Sequence, residues 1–197
     1  MRVIAGEAKG RRLKSPVGTS TRPIIDRVKT ALFDILSSRV AGATVLDLFG
    51  GVGSVGIEAL SRGARHATFV ELDPKIAAIL RENLRLTRLE DRAEVIRGDA
   101  FRYLETAATG SGPPAGRRFD LIYVAPPQYR QLAAKALRQI DAVPLTTPSG
   151  LVVVQVHPKE RIDFMDLVPR SLRLVDERKY GSTLLLFYED IRERGQA

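Results

Sequence analysis

The chain has 197 residues, 44% hydrophobic and 27% charged, which suits a soluble globular protein with a full core rather than a disordered or fibrous one. It contains no cysteine, which excludes disulfides and thiolate chemistry, and its two histidines, His66 and His157, lie far apart, so no metal site is expected. No apolar run approaches a membrane span and the basic N-terminus is unlike a signal peptide, so a cytoplasmic protein with no membrane partner is expected.

Net charge is +8, and residues 1–30 carry six of those charges. There Arg2, Lys9, Arg11, Arg12, Lys14, Arg22, Arg27 and Lys29 face only Glu7 and Asp26. Such a local excess suits a polyanion such as nucleic acid; the plainer alternative is a solvated surface. Residues 2–6 and 11–14 predict two short strands, a basic hairpin around residues 7–10, and residues 16–23 a loop. Ile25, Val28, Leu32, Ile35 and Leu36 recur at helical spacing, which predicts a helix from Ile24 through Arg39.

Alternation follows. Strands are predicted at 44–49, 68–71, 93–97, 120–124 and 151–156. Helices are predicted between them, near 54–61, 74–86, 100–107 and 129–140. Apolar strands alternating with helices mean a mostly parallel sheet covered on both faces. Residues 173–179 and 183–188 predict a hairpin, so the sheet gains an antiparallel edge. Residues 109–118, TGSGPPAGRR, predict a mobile loop.

The stretch VLDLFGGVGSVGIEAL joins an apolar strand to a glycine-rich turn and a helix. It contains a literal G-x-G-x-x-G at Gly51, Gly53 and Gly56, with Glu71 twenty residues beyond Gly51. That pattern alone also fits an NAD-linked oxidoreductase. Asp47, in the strand before the turn, argues otherwise: a carboxylate there repels pyrophosphate and suits a cofactor with a cationic amino-acid end. Glu71 ends the second strand, where it would accept from both ribose hydroxyls. Asp99 follows the third, where it would accept from an adenine amine. Each acid has a plainer reading: Glu71 solvated, Asp99 a helix N-cap, Asp47 a brace for the turn.

VLDLFGGVGSVGIEALSRGA, FVELDPKIAAILRENL, VIRGDAFRYL and STRPIIDRVKTALFDIL together resemble the bacterial 16S rRNA guanine-N2 methyltransferase family, over residues 2–156. The resemblance implies a Rossmann-like, seven-stranded fold dependent on S-adenosylmethionine (SAM), in residues 24–197. It also implies a basic extension, residues 1–23, that holds ribosomal RNA of the small subunit through Arg2, Lys9, Arg11, Arg12 and Lys14. Asp47, Gly51 and Gly53 match the methionine-side loop, Glu71 the ribose acid, and Asp99 with Ala100 the adenine contact. Thr21-Arg22-Pro23 matches a segment over the cofactor, and Phe49 and Leu72 complete the expected cofactor set. A monomer is expected.

In that family the fourth strand ends in Asp or Asn, two prolines and an aromatic. The acid or amide and the first proline's carbonyl accept from the target amine and aim its lone pair, and the aromatic stacks on the extruded base. Here the stretch is Ala125-Pro126-Pro127-Gln128-Tyr129, the expected reaction site. Ala125 has no acceptor, Gln128 stands in the aromatic slot and Tyr129 is displaced by one. Gln128 supplying the acceptor and Tyr129 stacking is one arrangement; a different target, or a non-catalytic module that binds SAM and RNA, are the others. His157 follows the fifth strand, whose end borders the same cleft; its place is compatible with a contact to RNA phosphate or to the base, while a surface-loop histidine is the commoner outcome, and neither it nor Gln155 is assigned a catalytic role.

Overall fold

A computed structural model describes residues 1–16, 24–112 and 116–192. Seven strands make a mixed sheet, and the chain divides into two compact units, Met1–Asp99 and Ala100–Ala197. No helix among the described residues is long and apolar enough to cross a membrane.

The first unit opens with an N-terminal segment, then α1 (Asp26–Leu36), β1 (Thr44–Asp47), α2 (Ser54–Ser61), β2 (His66–Glu71), α3 (Pro74–Thr87) and β3 (Ala93–Arg97). Its strands lie in the order β3-β2-β1, all parallel. Parallel strands need crossover helices, and α2 and α3 supply them. Helix α1 begins at Asp26 and buries Val28, Leu32 and Leu36 as expected, but Ile25 and Ile35 of the expected stripe are exposed and Lys29 and Phe33 are buried in their place. It stops at Leu36, and residues 37–39 tighten into a 3-10 turn. Pro74 sits in the first turn of α3, and Asp73 caps that helix by accepting from Lys75 and Ile76 N–H. Val45, Leu46, Leu48, Ile57, Leu60, Phe69 and Leu80 form the buried centre.

The second unit holds α4 (Ala100–Ala108), β4 (Phe119–Val124), α5 (Leu132–Ala142), β5 (Thr146–Val156), β6 (Leu172–Tyr180) and β7 (Thr183–Asp190), with strand order β4-β5-β7-β6. β4 and β5 are parallel; β7 runs antiparallel to β5 and to β6, with the register closing at Tyr180 opposite Thr183. Val152, Val153, Val154, Leu185, Leu186 and Phe187 are buried, which explains their near-continuous apolar runs.

Three expectations change. The N-terminal hairpin is not a pair of strands: one antiparallel bridge, Arg2 with Arg12, holds the reversal, helped by Val3 N–H donating to Arg11 O and Gly10 N–H to Val3 O. α5 begins at Leu132 rather than near Tyr129, because Tyr129 and Gln131 take left-handed backbone angles (φ 62° and 55°) that no helix continues. β5 begins at Thr146, five residues early. Arg22 and residues 113–115 lie outside the described residues.

Candidate cofactor turn and reaction motif

In the first unit β1 delivers Asp47 to its carboxyl end, and residues 48–53 turn into α2. Asp47 is 2% exposed, and its Oδ2 accepts from the Gly56 N–H at 3.2 Å. The bracing role is therefore present. Burial pushes the Asp47 carboxyl up from 3.8 to about 7, against the Gly56 hydrogen bond and with a smaller push from the Glu71 charge. A buried carboxyl poised there gains from a nearby cation.

The glycines divide by role. Gly51 has φ +53° and only one atom, Phe49 O at 3.9 Å, near the place of a side chain, so it presents bare backbone to open space. A Cβ on Gly53 would meet Leu80 at 2.3 Å and Ile57 at 2.8 Å, and one on Gly56 would meet Phe69 at 2.2 Å. Those two permit close helix packing rather than ligand approach.

Glu71, half-buried at the end of β2, accepts from Gly51 N–H and Asp73 N–H, each at 2.8 Å. It thus joins the glycine turn to the cap of α3. Leu72 beside it is 65% exposed, a large apolar side chain held in water at a strand's carboxyl end. Asp99 is exposed just after β3, and Phe49 is half-buried. Ala100, the first residue of the second unit, is buried. The Ser54 hydroxyl, at the first residue of α2, is buried without a hydrogen-bond partner among the described residues. Bare backbone at Gly51, a poised Asp47, an orphaned Ser54 hydroxyl and an exposed Leu72 beside a carboxylate fit an adenosine cofactor with a cationic end.

Two buried residues beyond the expected set anchor the N-terminal segment, and one of them, Asn83, also holds this turn. Asn83 is fully buried on α3; its amide donates to Val52 O (2.9 Å) inside the turn and to Lys14 O (3.0 Å), and accepts from Lys14 N–H (2.7 Å). Glu58, on α2, accepts from Ile4 and Ala5 N–H and pairs with Lys29 at 3.1 Å and Arg62 at 2.9 Å. Lys29 also donates to Arg2 O, so the N-terminal segment is clamped to α1 and α2. Burial lowers the Lys29 pKa despite the pull of Glu58. Lys29 is therefore a structural cation, not part of a polyanion-facing surface. Asn83 had a readable signal: it falls three residues after Leu80, on the apolar stripe of its helix. Glu58 did too, as an acid inside the otherwise apolar VGIEAL.

The five N-terminal bases differ. Arg2 pairs with Asp26 at 3.2 Å, Arg11 donates to Leu86 O at 2.6 Å, and Lys14 pairs with Glu82 at 2.5 Å. Lys9 and Arg12 are exposed and without a partner among the described residues.

In the second unit β4 runs into Ala125-Pro126-Pro127-Gln128-Tyr129. Pro126 is buried, Ala125 and Gln128 are half-buried, and Tyr129 is 63% exposed. Tyr123 OH donates to Gln155 Oε1 at 2.6 Å, which places Gln155 against the neighbouring strand. His157 is not a plain loop residue: it caps the 3-10 helix Pro158–Phe164, its Nδ1 accepting from Lys159 N–H.

The family model described as Conserved hypothetical protein 95 matches residues 1–189. The chain belongs to that family. The Bacillus subtilis "Putative rRNA methyltransferase YlbH" is 38% identical over 96% of this chain and 98% of its own. The "Ribosomal RNA small subunit methyltransferase D" of Haemophilus influenzae is 31% identical over 96% and 94%. Among solved structures, the Escherichia coli "Putative methyltransferase yhhF" superposes with a TM-score of 0.81 at 29% identity, covering 96% and 97%. The chain is a methyltransferase with the Rossmann-like fold of that class, and the cofactor its strand-end acids fit is SAM.

Proposed function

We propose that this protein transfers a methyl group from SAM to ribosomal RNA of the small subunit, at the exocyclic N2 amine of a guanine. The observation that carries this reading is the series of acids at three successive strand ends, Asp47, Glu71 and Asp99, around bare backbone at Gly51. Relatives named as small-subunit rRNA methyltransferases support the substrate class.

When bound, SAM supplies a methyl group on a cationic sulfur. The chain's residues do the rest by holding and aiming. Asp47 would hold the cationic amino-acid end, Glu71 the ribose, and Asp99 with Ala100 the adenine, with Phe49 and Leu72 completing the cofactor-binding set. Pro126 O and the Gln128 amide oxygen accept from the target amine. Gln128 has no hydrogen-bond partner among the described residues, so its oxygen is available to replace the acceptor that Ala125 lacks. The chemistry SAM would supply there is methyl transfer to the aimed amine: the nitrogen would bond the methyl carbon as the carbon–sulfur bond breaks with its electron pair left on sulfur, and the amine's proton would leave to solvent. Methylation needs the guanine out of its stack, and Tyr129 offers a stacking face. Residues 1–23 act as the RNA-holding extension, Arg22 belongs to the cofactor-binding set, and the protein works as a cytoplasmic monomer.

Isothermal titration with SAM and then NAD tests the cofactor; NAD binding without SAM binding would overturn it. Ala125→Asp tests the motif. A raised rate marks a weakened amine methyltransferase, and a lowered rate marks a different working arrangement. Ala125 and Gln128 also favour a second reading, an RNA-binding module without transferase activity. Methylated product that disappears with Asp99→Ala excludes it.

A further inference from the structure

Glu160 is a buried acid that the reading above does not use. One oxygen, Oε2, accepts from His157 N–H at 3.0 Å, the ordinary return bond of a capping box. The other, Oε1, reaches 31 residues back along the chain and accepts from Tyr129 N–H at 2.8 Å. A helix cap has no need of that second bond. It pins Tyr129 where its backbone is left-handed (φ 62°), a conformation a tyrosine adopts only when its surroundings impose it. The result is that the Tyr129 and His157 rings stand 5.3 Å apart, tilted by 42°. Tyr129 is 63% exposed and His157 half-exposed, so the pair is a wet aromatic surface, not core.

The side chains of Arg130, next to Tyr129 in sequence, and of Lys159, two residues after His157, are exposed and have no partner among the described residues. Aromatic faces flanked by free cations suit an unpaired nucleobase on a polyanionic strand, because every base offers a π-face and every nucleotide a phosphate. A protein ligand would more often be met by a dry apolar centre.

The geometry points to His157 as the second ring of a nucleobase platform, with Glu160 as the positioning residue that sets both rings. This rests on the RNA reading above. It adds two residues from a different strand exit, and it makes the one-residue displacement of Tyr129 a working arrangement: the left-handed turn carries the ring onto His157. Each ring contributes its face, and Glu160 touches neither base nor cofactor.

Two substitutions separate the ring from the cap. His157→Asn keeps a capping acceptor and loses the ring; His157→Phe keeps a ring and loses the acceptor. The probes are a short single-stranded RNA carrying one 2-aminopurine, read by fluorescence quenching, and small ribosomal subunits, read by methyl transfer. His157→Asn is expected to weaken the quenched complex and raise KM for RNA by about tenfold. The dissociation constant for SAM and kcat are expected to stay near those of the unsubstituted chain. His157→Phe is expected to retain quenching. Glu160→Gln, whose amide can accept only through one oxygen, is expected to lower quenching while thermal unfolding remains cooperative. Quenching and KM unchanged in His157→Asn would overturn the platform while leaving the methyltransferase intact. Loss in both His157 variants alike would assign His157 to the cap alone and also overturn it. Quenching that follows the ring in a protein that never methylates would instead sink the proposed reaction and keep the platform.

Discussion

Binding of SAM should expel a proton from Asp47. Burial holds that carboxyl at about 7 rather than 3.8, so near neutral pH about half the molecules carry the proton. A cationic ligand end beside it favours the ionised form, so the complex keeps Asp47 charged. The affinity is then reduced by a factor of 1 + 10^(pKa − pH): about eleven at pH 6, about two at pH 7, and about one at pH 8. Between pH 8 and pH 6 the dissociation constant should rise by about tenfold, or about 1.4 kcal/mol. Calorimetric titration in two buffers of different ionisation enthalpy counts the protons, about 0.9 released at pH 6 and about 0.5 at pH 7 from this group. Asp47→Asn removes that share and leaves only the ligand's own titration. Equal proton release by the two proteins, with affinities in a constant ratio across pH, would refute the reasoning.

The same carboxyl makes a stability prediction of definite sign. The folded pKa is raised, so the folded state holds the proton more tightly and loses stability as pH climbs from about 4 to about 7, by a total on the order of 4 kcal/mol. Asp47→Asn should therefore unfold at higher urea than the parent at pH 8, with the gap closing towards pH 4. Lys29→Ala leaves Glu58 buried with one ion partner fewer, and should cost about 3–5 kcal/mol in urea unfolding. Asn83→Leu leaves the Val52 carbonyl and the Lys14 backbone unsatisfied, costing about 1–3 kcal/mol and weakening SAM binding through the turn. For RNA, Lys9→Glu with Arg12→Glu should lower affinity and flatten its salt dependence more than the same changes at Arg2 and Lys14, which already have partners.

Much of this was legible in the residues, for reasons that differ by element. α2 and β3 fall where the pattern put them, because a glycine turn and a polar boundary punctuate apolar runs that have nowhere else to go. The acids near the strand ends were readable because strand ends repeat: Asp47 and Glu71 close β1 and β2, and Asp99 comes two residues after β3. The start of α5 was not readable, since nothing in the spacing of YRQLAAKAL shows that a carboxylate 31 residues ahead pins Tyr129 left-handed. Counting charge also misled. Lys29 belongs by composition to a basic surface and by packing to a buried ion pair, and only its position on the stripe of α1 gives that away. The glycine fingerprint looked uniform as letters; three dimensions separate Gly51, open to a ligand, from Gly53 and Gly56, closed by Leu80 and Phe69.

The reaction itself is tested by isotope. Small ribosomal subunits from cells lacking this protein, incubated with it and with SAM labelled in the methyl group, should yield labelled N2-methylguanosine at one RNA position, with the label lost in Asp99→Ala. Subunits that take up no label, or that carry it on another atom, would contradict the account.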